Sequence, residues 1–297
     1  MASTKQQRII LITGANRGLG FEVIKKLLKE SSSNNDLILL GSRDIKRGQD
    51  AINQLGSPSN VRVLHLDTSS PDSIAQATNE IKQKYGGKLD ILINNAGIVT
   101  ADLTVDAARH VFSTNYYGVK LINQHLSPLI KENGRIVNVA SEVGAWTLYD
   151  TPTDLQNKYT SSSLTEEQLD ALVEEFISAI GTKSVEKLGY NTKLPGLAYG
   201  VSKTALIALT KIEARRWSGA KGVLVVAVCP GYCATDMNKD RPGTRPAELG
   251  ADSILHAATA PAKELENGAF YQDGVKKPQA LQCTMDFSKF NQKEDES

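Results

Sequence analysis

Thr13-Gly-Ala-Asn-Arg-Gly-Leu-Gly20 follows directly on the apolar run Ile9 to Ile12 and leads into Phe21, Val23, Ile24, Leu27 and Leu28, which recur at helical spacing. Strand, glycine turn and helix in that order are the opening unit of a doubly wound α/β sheet. Glycines at such a turn let the main chain come close to a pyrophosphate, and the free N–H groups and dipole of the helix start favour the anion. Gly14, Gly18 and Gly20 are spaced Gly-x-x-x-Gly-x-Gly, so the generic Gly-x-Gly-x-x-Gly fingerprint is not met as written. A glycine-rich turn with no ligand is the bland alternative, and the residues that argue against it lie further along the chain.

The rhythm set by that unit continues. Arg8 to Thr13, Asp36 to Ser42, Val61 to Leu66, Leu89 to Asn94, Arg135 to Ala140 and Gly222 to Cys229 are expected as strands, with a short last strand around Ala269 to Gln272. Leu37-Ile-Leu-Leu40 and Val223-Leu-Val-Val-Ala-Val228 are almost unbroken apolar runs, as strands covered on both faces require. Helices are expected near Gly18 to Glu30, Ile45 to Leu55, Asp72 to Tyr85, Val105 to Lys131, Ala198 to Arg216 and Ala247 to Thr259. The fold class is therefore α/β: a single Rossmann-type, doubly wound parallel sheet with helices on both faces. A length of 297 residues would hold one large or two small domains, and this alternation favours one domain over 1–297. Ser31 to Asn35 reads as a loop, and about 284–297 as a polar tail.

Between Ser141 and Tyr199 the alternation breaks, and a stretch of about 144–196 reads as an insertion. Ser163-Leu-Thr-Glu166 can form a capping box, and Leu169, Leu172, Val173, Phe176, Ile177 and Ile180 follow at helical spacing. The insertion should thus carry one amphipathic helix, whose apolar stripe must dock on something.

Charged residues make up 23% of the chain and hydrophobic residues 40%, proportions ordinary for a soluble globular protein. A net charge of +1 gives no electrostatic ground for a nucleic-acid or membrane partner, so a small molecule is expected. Cys229, Cys233 and Cys283 are odd in number and lack metal-ligand spacing, which argues against a disulfide framework and against a metal site. The N-terminus lacks an apolar signal core and no apolar stretch is long enough for a bilayer, so a cytoplasmic location is expected.

Tyr199-Gly-Val-Ser-Lys203 places a phenol and an ammonium on one helix face, four residues apart. A cation held there is expected to draw the phenol below its usual value of about 10 and so make a general acid. Alone, Tyr-x-x-x-Lys is more often an ordinary amphipathic pair. Here it follows the glycine turn, Asn94-Asn-Ala-Gly97, Asn115 and Ser141, and precedes Pro230-Gly231. With those motifs in that order the chain resembles the short-chain dehydrogenase/reductases, from about Arg8 to about Gly274. The long segment before Tyr199, with its stretch Leu155 to Ile177, is similar to that of the monomeric carbonyl reductases.

This resemblance implies that Asn115, Ser141, Tyr199 and Lys203 are catalytic. Tyr199 would give the proton and Lys203 stabilise the tyrosinate and hold the nicotinamide ribose. Ser141 would donate to the substrate oxygen, and Asn115, at a helix break, would relay protons to solvent. It places the cofactor against Gly14, Asn16, Arg17, Gly18, Leu19 and Gly20, then Asp67 and Thr68, then Asn95, Ala96 and Gly97, and finally Pro230, Gly231 and Thr235. Asn94 is expected instead to tie neighbouring strands together. By the same resemblance the inserted helix covers the faces through which relatives dimerise, giving a monomer; a peripheral decoration is the alternative.

At the end of the second strand, where an acidic residue would accept from an NAD ribose, the chain reads Gly41-Ser-Arg43. Arg43 and Arg17 together suit a 2'-phosphate, so NADPH/NADP is the expected cofactor; a salt bridge from Arg43 to Asp44 is the bland alternative. Val143, Trp146, Tyr232 and Met237, with Ser141, are expected to line the substrate pocket, although Trp146 and Tyr232 could equally be core. Glu142 is unusual beside this serine and would either turn to water or favour a polar or basic substrate. Cys229 reads as a buried small hydrophobe. The reading is NADPH-dependent reduction of ketones, aldehydes or quinones. A silent cofactor sensor and a secondary-alcohol dehydrogenase working oxidatively are the alternatives.

Overall fold

Ile9 and Leu11 point to one side of the first strand and Ile10 and Ile12 to the other, and all four are buried. This double burial recurs along the sheet in a computed structural model that describes residues 7–30, 36–219, 221–238 and 241–283. The expected loop at 31–35 and tail at 284–297 lie outside the described residues.

In chain order the elements are β1 (Arg8–Ile12), α1 (Gly18–Glu30), β2 (Asp36–Ser42), α2 (Ile45–Gln54), β3 (Val61–His65), α3 (Pro71–Lys84) and β4 (Leu89–Asn94). Next come α4 (Val105–Phe112), a π-helical turn (Ser113–Gly118), α5 (Val119–Leu126), β5 (Ile130–Val139), α6 (Glu142–Tyr149), α7 (Thr153–Thr160) and α8 (Glu166–Gly181). α9 (Leu197–Trp217), β6 (Leu224–Cys229), α10 (Ala247–Thr259), β7 (Phe270–Gln272) and β8 (Val275–Lys277) complete the described chain. The sheet order is β3-β2-β1-β4-β5-β6-β7-β8, parallel throughout except for β8, which runs antiparallel to β7. Helices α1, α2 and α10 cover one face, while α3, α5 and the end of α9 cover the other. The fold is the doubly wound sheet that the sequence implies.

Three elements depart from expectation. The helix expected over 105–131 has a break at the π-helical turn that holds Asn115, as the resemblance implies, but it ends early, at Leu126. Pro128 lacks an N–H and restricts Ser127, so a short 3-10 turn follows and Ile130 already pairs with Leu89. β8 was not expected. Asp273 (φ 50°) and Gly274 (φ 77°) form the left-handed pair that a two-residue hairpin demands, and they fold the chain back on β7. The segment before Tyr199 holds three helices, α6 to α8, where one was expected. Its capping box also sits two residues later than expected: Thr165 Oγ1 accepts from Gln168 N at 3.2 Å and Gln168 Oε1 accepts from Thr165 N at 3.0 Å. Ser163 is held instead in a turn with Ser161.

α8 buries Leu169, Val173, Phe176, Ile177 and Ile180 in a cluster shared with α4 and α9. The Phe176 ring lies 6.0 Å from that of Phe112. Asp170 accepts from the Tyr116 hydroxyl at 2.7 Å, and Glu174 accepts from that of Tyr117 at 2.7 Å and pairs with Arg109 at 3.1 Å. These bonds lash α8 to α4 and the π-helical turn.

Beneath the sheet end, Asn94 Nδ2 donates to Asn138 Oδ1 (2.8 Å) and Asn123 Oδ1 (2.7 Å), so it ties β4 to β5 and α5. Asn123 in turn donates to Glu213 Oε2 at 2.8 Å. Burial pushes the Glu213 carboxyl well above its ordinary value, which favours its neutral form.

α6 and α9 approach more closely than side chains permit. A Cβ on Gly144 would lie 2.6 Å from Lys203 C and Thr204 N, and one on Gly200 would lie 2.1 Å from Thr147 Oγ1. Thr204 Oγ1 donates to Gly144 O at 2.7 Å across the same contact. Gly144→Ala should therefore cost about 1–3 kcal/mol through overpacking and lower the Tm by several degrees. Gly219→Ala, whose Cβ would meet nothing within 4 Å, should leave the thermal denaturation curve where it is.

Candidate active site

The C-terminal ends of β1, β2, β4, β5 and β6 open into one cleft of about 930 Å³. Its floor is the glycine turn. Gly14 (φ 62°) and Gly18 (φ 58°) take left-handed conformations, and a Cβ on Gly14 would stand 2.9 Å from Ala96 Cα. Thr13 Oγ1 accepts from Asn95 N (3.0 Å) and Ala96 N (2.9 Å), which fixes the two loops together. Asn16, Arg17 and Leu19 line the cleft, as do Asn95, Ala96 and Gly97. Gly20 does not. It packs behind the turn, where a Cβ would lie 2.6 Å from Asn95 Nδ2 and 2.8 Å from Ala15 Cα.

One end of the cleft is rimmed by Arg17, Arg43 and Arg47. Asp44 caps α2, accepting from Arg47 N at 3.0 Å, and its ion pair is with Arg47 at 3.6 Å rather than with Arg43. Arg47 escaped the sequence reading, although it stands one helical turn beyond Arg43. Arg17 pairs with Asp236 at 2.9 Å across the cleft mouth. Asp67 and Thr68 form the wall there. Burial works against the Asp67 charge, but hydrogen bonds from Ser69, with Arg43 and His65 nearby, hold its carboxyl below the ordinary value. A glycine cradle at a helix N-terminus beside three guanidinium groups fits a dinucleotide carrying an extra phosphate.

At the other end Ser141 caps α6, its Oγ accepting from Val143 N at 3.2 Å, and its side chain lies beside Tyr199, whose ionised form it favours. Tyr199 and Lys203 lie one turn apart on α9, with Nζ 5.7 Å from the ring centroid. Lys203 Nζ donates to Val139 O at 2.8 Å. The expected lowering of the phenol does not occur. Burial pushes Tyr199 up to about 12, only partly offset by Ser141, and the same burial pulls Lys203 down to about 8. Desolvation outweighs the pairing, because the ammonium stands over the ring and turns to a carbonyl. The phenol is accordingly a firmly protonated donor.

Asn115 lies in the π-helical turn, buried behind the cleft rather than lining it. Its Oδ1 accepts from Ile98 N (2.9 Å), and its Nδ2 donates to Ile98 O (2.9 Å) and Ser202 Oγ (3.1 Å). A Cβ on Gly97 would lie 3.5 Å from both Asn115 Oδ1 and Lys203 Nζ, so these groups converge on one glycine.

Val143, Trp146, Tyr232 and Met237 line the cleft, as do Pro230, Gly231 and Thr235. Trp146 and Tyr232 are half-buried in its wall rather than core. Val99 and Met237 give the mouth an exposed apolar edge. Cys229 is buried, its Sγ accepting from Glu142 N and Gly231 N at 3.3 Å, and burial pushes its thiol up to about 11. Glu142 turns neither to open water nor free into the cleft. Its carboxylate meets Lys277 Nζ at 3.3 Å, and Gln272, with its amide oriented to donate, reaches both carboxylate oxygens at 3.0 and 3.1 Å.

With this geometry in hand, comparison with known proteins is specific. The short chain dehydrogenase family model matches residues 8–176, and a second model, described as Enoyl-(Acyl carrier protein) reductase, matches 156–267. Carbonyl reductase (NADPH) 1 of Bos taurus is 36% identical over 262 residues, covering 86% of this chain and 91% of its own. The (+)-neomenthol dehydrogenase of Capsicum annuum is 33% identical over 318 residues, covering 92% and 98%. Salutaridine reductase of Papaver somniferum superposes with a TM-score of 0.78 at 30% identity, covering 89% and 99%. The chain belongs to the short chain dehydrogenase family. Among the described residues no helix is long and apolar enough to cross a membrane.

Proposed function

We propose that this protein reduces the carbonyl groups of ketones, aldehydes and quinones to alcohols with NADPH, through Asn115, Ser141, Tyr199 and Lys203. The observation that carries the proposal is a single cleft with Ser141, Tyr199 and Lys203 at one end and three arginines at the other. Likeness to carbonyl reductase (NADPH) 1 supports it. Bound NADPH would supply hydride to the carbonyl carbon. As charge develops on the carbonyl oxygen, the hydroxyls of Ser141 and Tyr199 meet it from positions already fixed by the α6–α9 contact. Tyr199, protonated at neutral pH, gives its proton to that oxygen. Lys203 stabilises the resulting tyrosinate and holds the ribose. Asn115, bound to Ile98 and Ser202, keeps the wall behind Lys203 in place for reprotonation from solvent. Arg17, Arg43 and Arg47 would grip the 2'-phosphate.

Assembly and location belong to the same proposal. We read residues 144–196 as an insertion into one domain, with α8 covering α4 and α9 and so leaving a monomer; the shared apolar cluster and the Asp170 and Glu174 bonds support this. The buried thiols of Cys229 and Cys233 suit the reducing cytoplasm.

Tyr199→Phe should abolish carbonyl-dependent NADPH oxidation, followed by absorbance over a panel of ketones, aldehydes and quinones, while NADPH still binds. Near-normal turnover would refute the proton-donor role. Arg43→Asp should weaken NADPH binding about tenfold to a hundredfold and NADH binding far less, as titration of both cofactors would show. Sedimentation equilibrium of the intact chain at micromolar concentration should give a single monomeric mass; a stable dimer would refute the covering role of α8.

A further inference from the structure

Glu142 puts a carboxylate one residue from Ser141, on the wall where negative charge develops on the substrate oxygen. Like charges a few ångströms apart in a poorly solvated cleft repel strongly enough to slow such a reaction about tenfold or more. The chain keeps the carboxylate nonetheless and surrounds it. Lys277 Nζ stands 3.3 Å away and the Gln272 amide faces both oxygens. The Glu142 side chain is only 17% exposed and that of Lys277 28%, so water screens this pair less than an open surface pair. Lys277 reaches the site because β8 folds back across β7, opposite Phe270, through the Asp273-Gly274 hairpin. The backbone N–H of Glu142 is meanwhile fixed to Cys229 on β6.

We infer that Lys277 is a positioning residue for the reaction proposed above: it neutralises Glu142 and holds it against β7 and β8, so that its charge does not oppose the oxyanion beside Ser141. A strand as short as β8, at the edge of the sheet, contributes little to the core, since Val275 is 60% exposed. Delivery of one ammonium to the active-site wall is the chemical consequence of its presence.

The inference rests on carbonyl reduction as the activity, and an epistasis experiment separates the two. Lys277→Met should lower kcat about tenfold with the NADPH dissociation constant changed less than about twofold, because the lost group acts on developing charge and not on the cofactor. Lys277→Arg, which keeps the cation, should stay near the wild-type rate. Adding Glu142→Gln to Lys277→Met should restore kcat, since the charge that required neutralising is gone. Melting curves of all variants control for folding. An unchanged kcat in Lys277→Met, or a double variant as slow as that single variant, would overturn the inference. A wild-type protein that oxidises no NADPH with any carbonyl of the panel would overturn the activity on which it rests.

Discussion

Strand β1 is hydrogen-bonded to β2 on one side and to β4 on the other, and the strand order runs outward from it in both directions. The loops that leave the C-terminal ends of β1 and β4 cannot lie over the same side of the sheet, so they part and leave a crevice. Everything polar is arranged around that parting. The strands must be apolar on both faces to sit between two helical layers, which leaves their ends as the places where donors and charges can reach solvent and ligand. Thr13 bridges the crevice with its hydroxyl, and the missing Cβ of Gly14 lets the two loops touch.

The second fixed distance is between α6 and α9. Ser141 begins one helix and Tyr199 and Lys203 stand on the other, so the separation of the two backbones sets where the two hydroxyls meet. Gly144 and Gly200 make that separation small, and the Thr204 hydroxyl bridges it. Behind this contact hydrogen bonds join the amides of Asn94, Asn123 and Asn138 where the sheet ends and the helices begin, with Asn94 Oδ1 left unpaired. Packing by residues without side chains and pairing by buried amides together make a rigid seat for a mobile proton.

Much of this was legible from residue patterns, because the strands are continuous apolar runs and the glycine turn has only one plausible neighbourhood. The sheet and its parallel sense follow from that, whereas the grouping of Ser141 with Tyr199 and Lys203 was implied by the resemblance to the short-chain dehydrogenase/reductases. What was hidden depends on contacts across the fold. The break at Asn115 was implied by the resemblance and not by spacing, and the close approach beside it, where a Cβ on Gly118 would lie 2.1 Å from Thr68 O, is a crowding that no local period reports. The Tyr199 shift has the opposite sign to that expected from Tyr-x-x-x-Lys, since spacing gives proximity but not burial. The Thr165 box was displaced because Ser163 and Thr165 are equally good caps on paper. Asp273-Gly274 was a readable hairpin signal, and Arg47 stood one turn from Arg43; both were there to be found.

Glu213 couples the fold to protons in an unusual direction. Most surface ion pairs, such as that of Arg109 with Glu174, weaken as acid neutralises the carboxylate. Burial raises the Glu213 carboxyl above the ordinary glutamate value of 4.5. Its contribution to stability is therefore complete below that value and declines as pH climbs toward the folded one, because the unfolded chain releases a proton that the native interior retains. The native state is thus a net proton store at this position, and mild acidity, which loosens the exterior, leaves the buried amide seam intact.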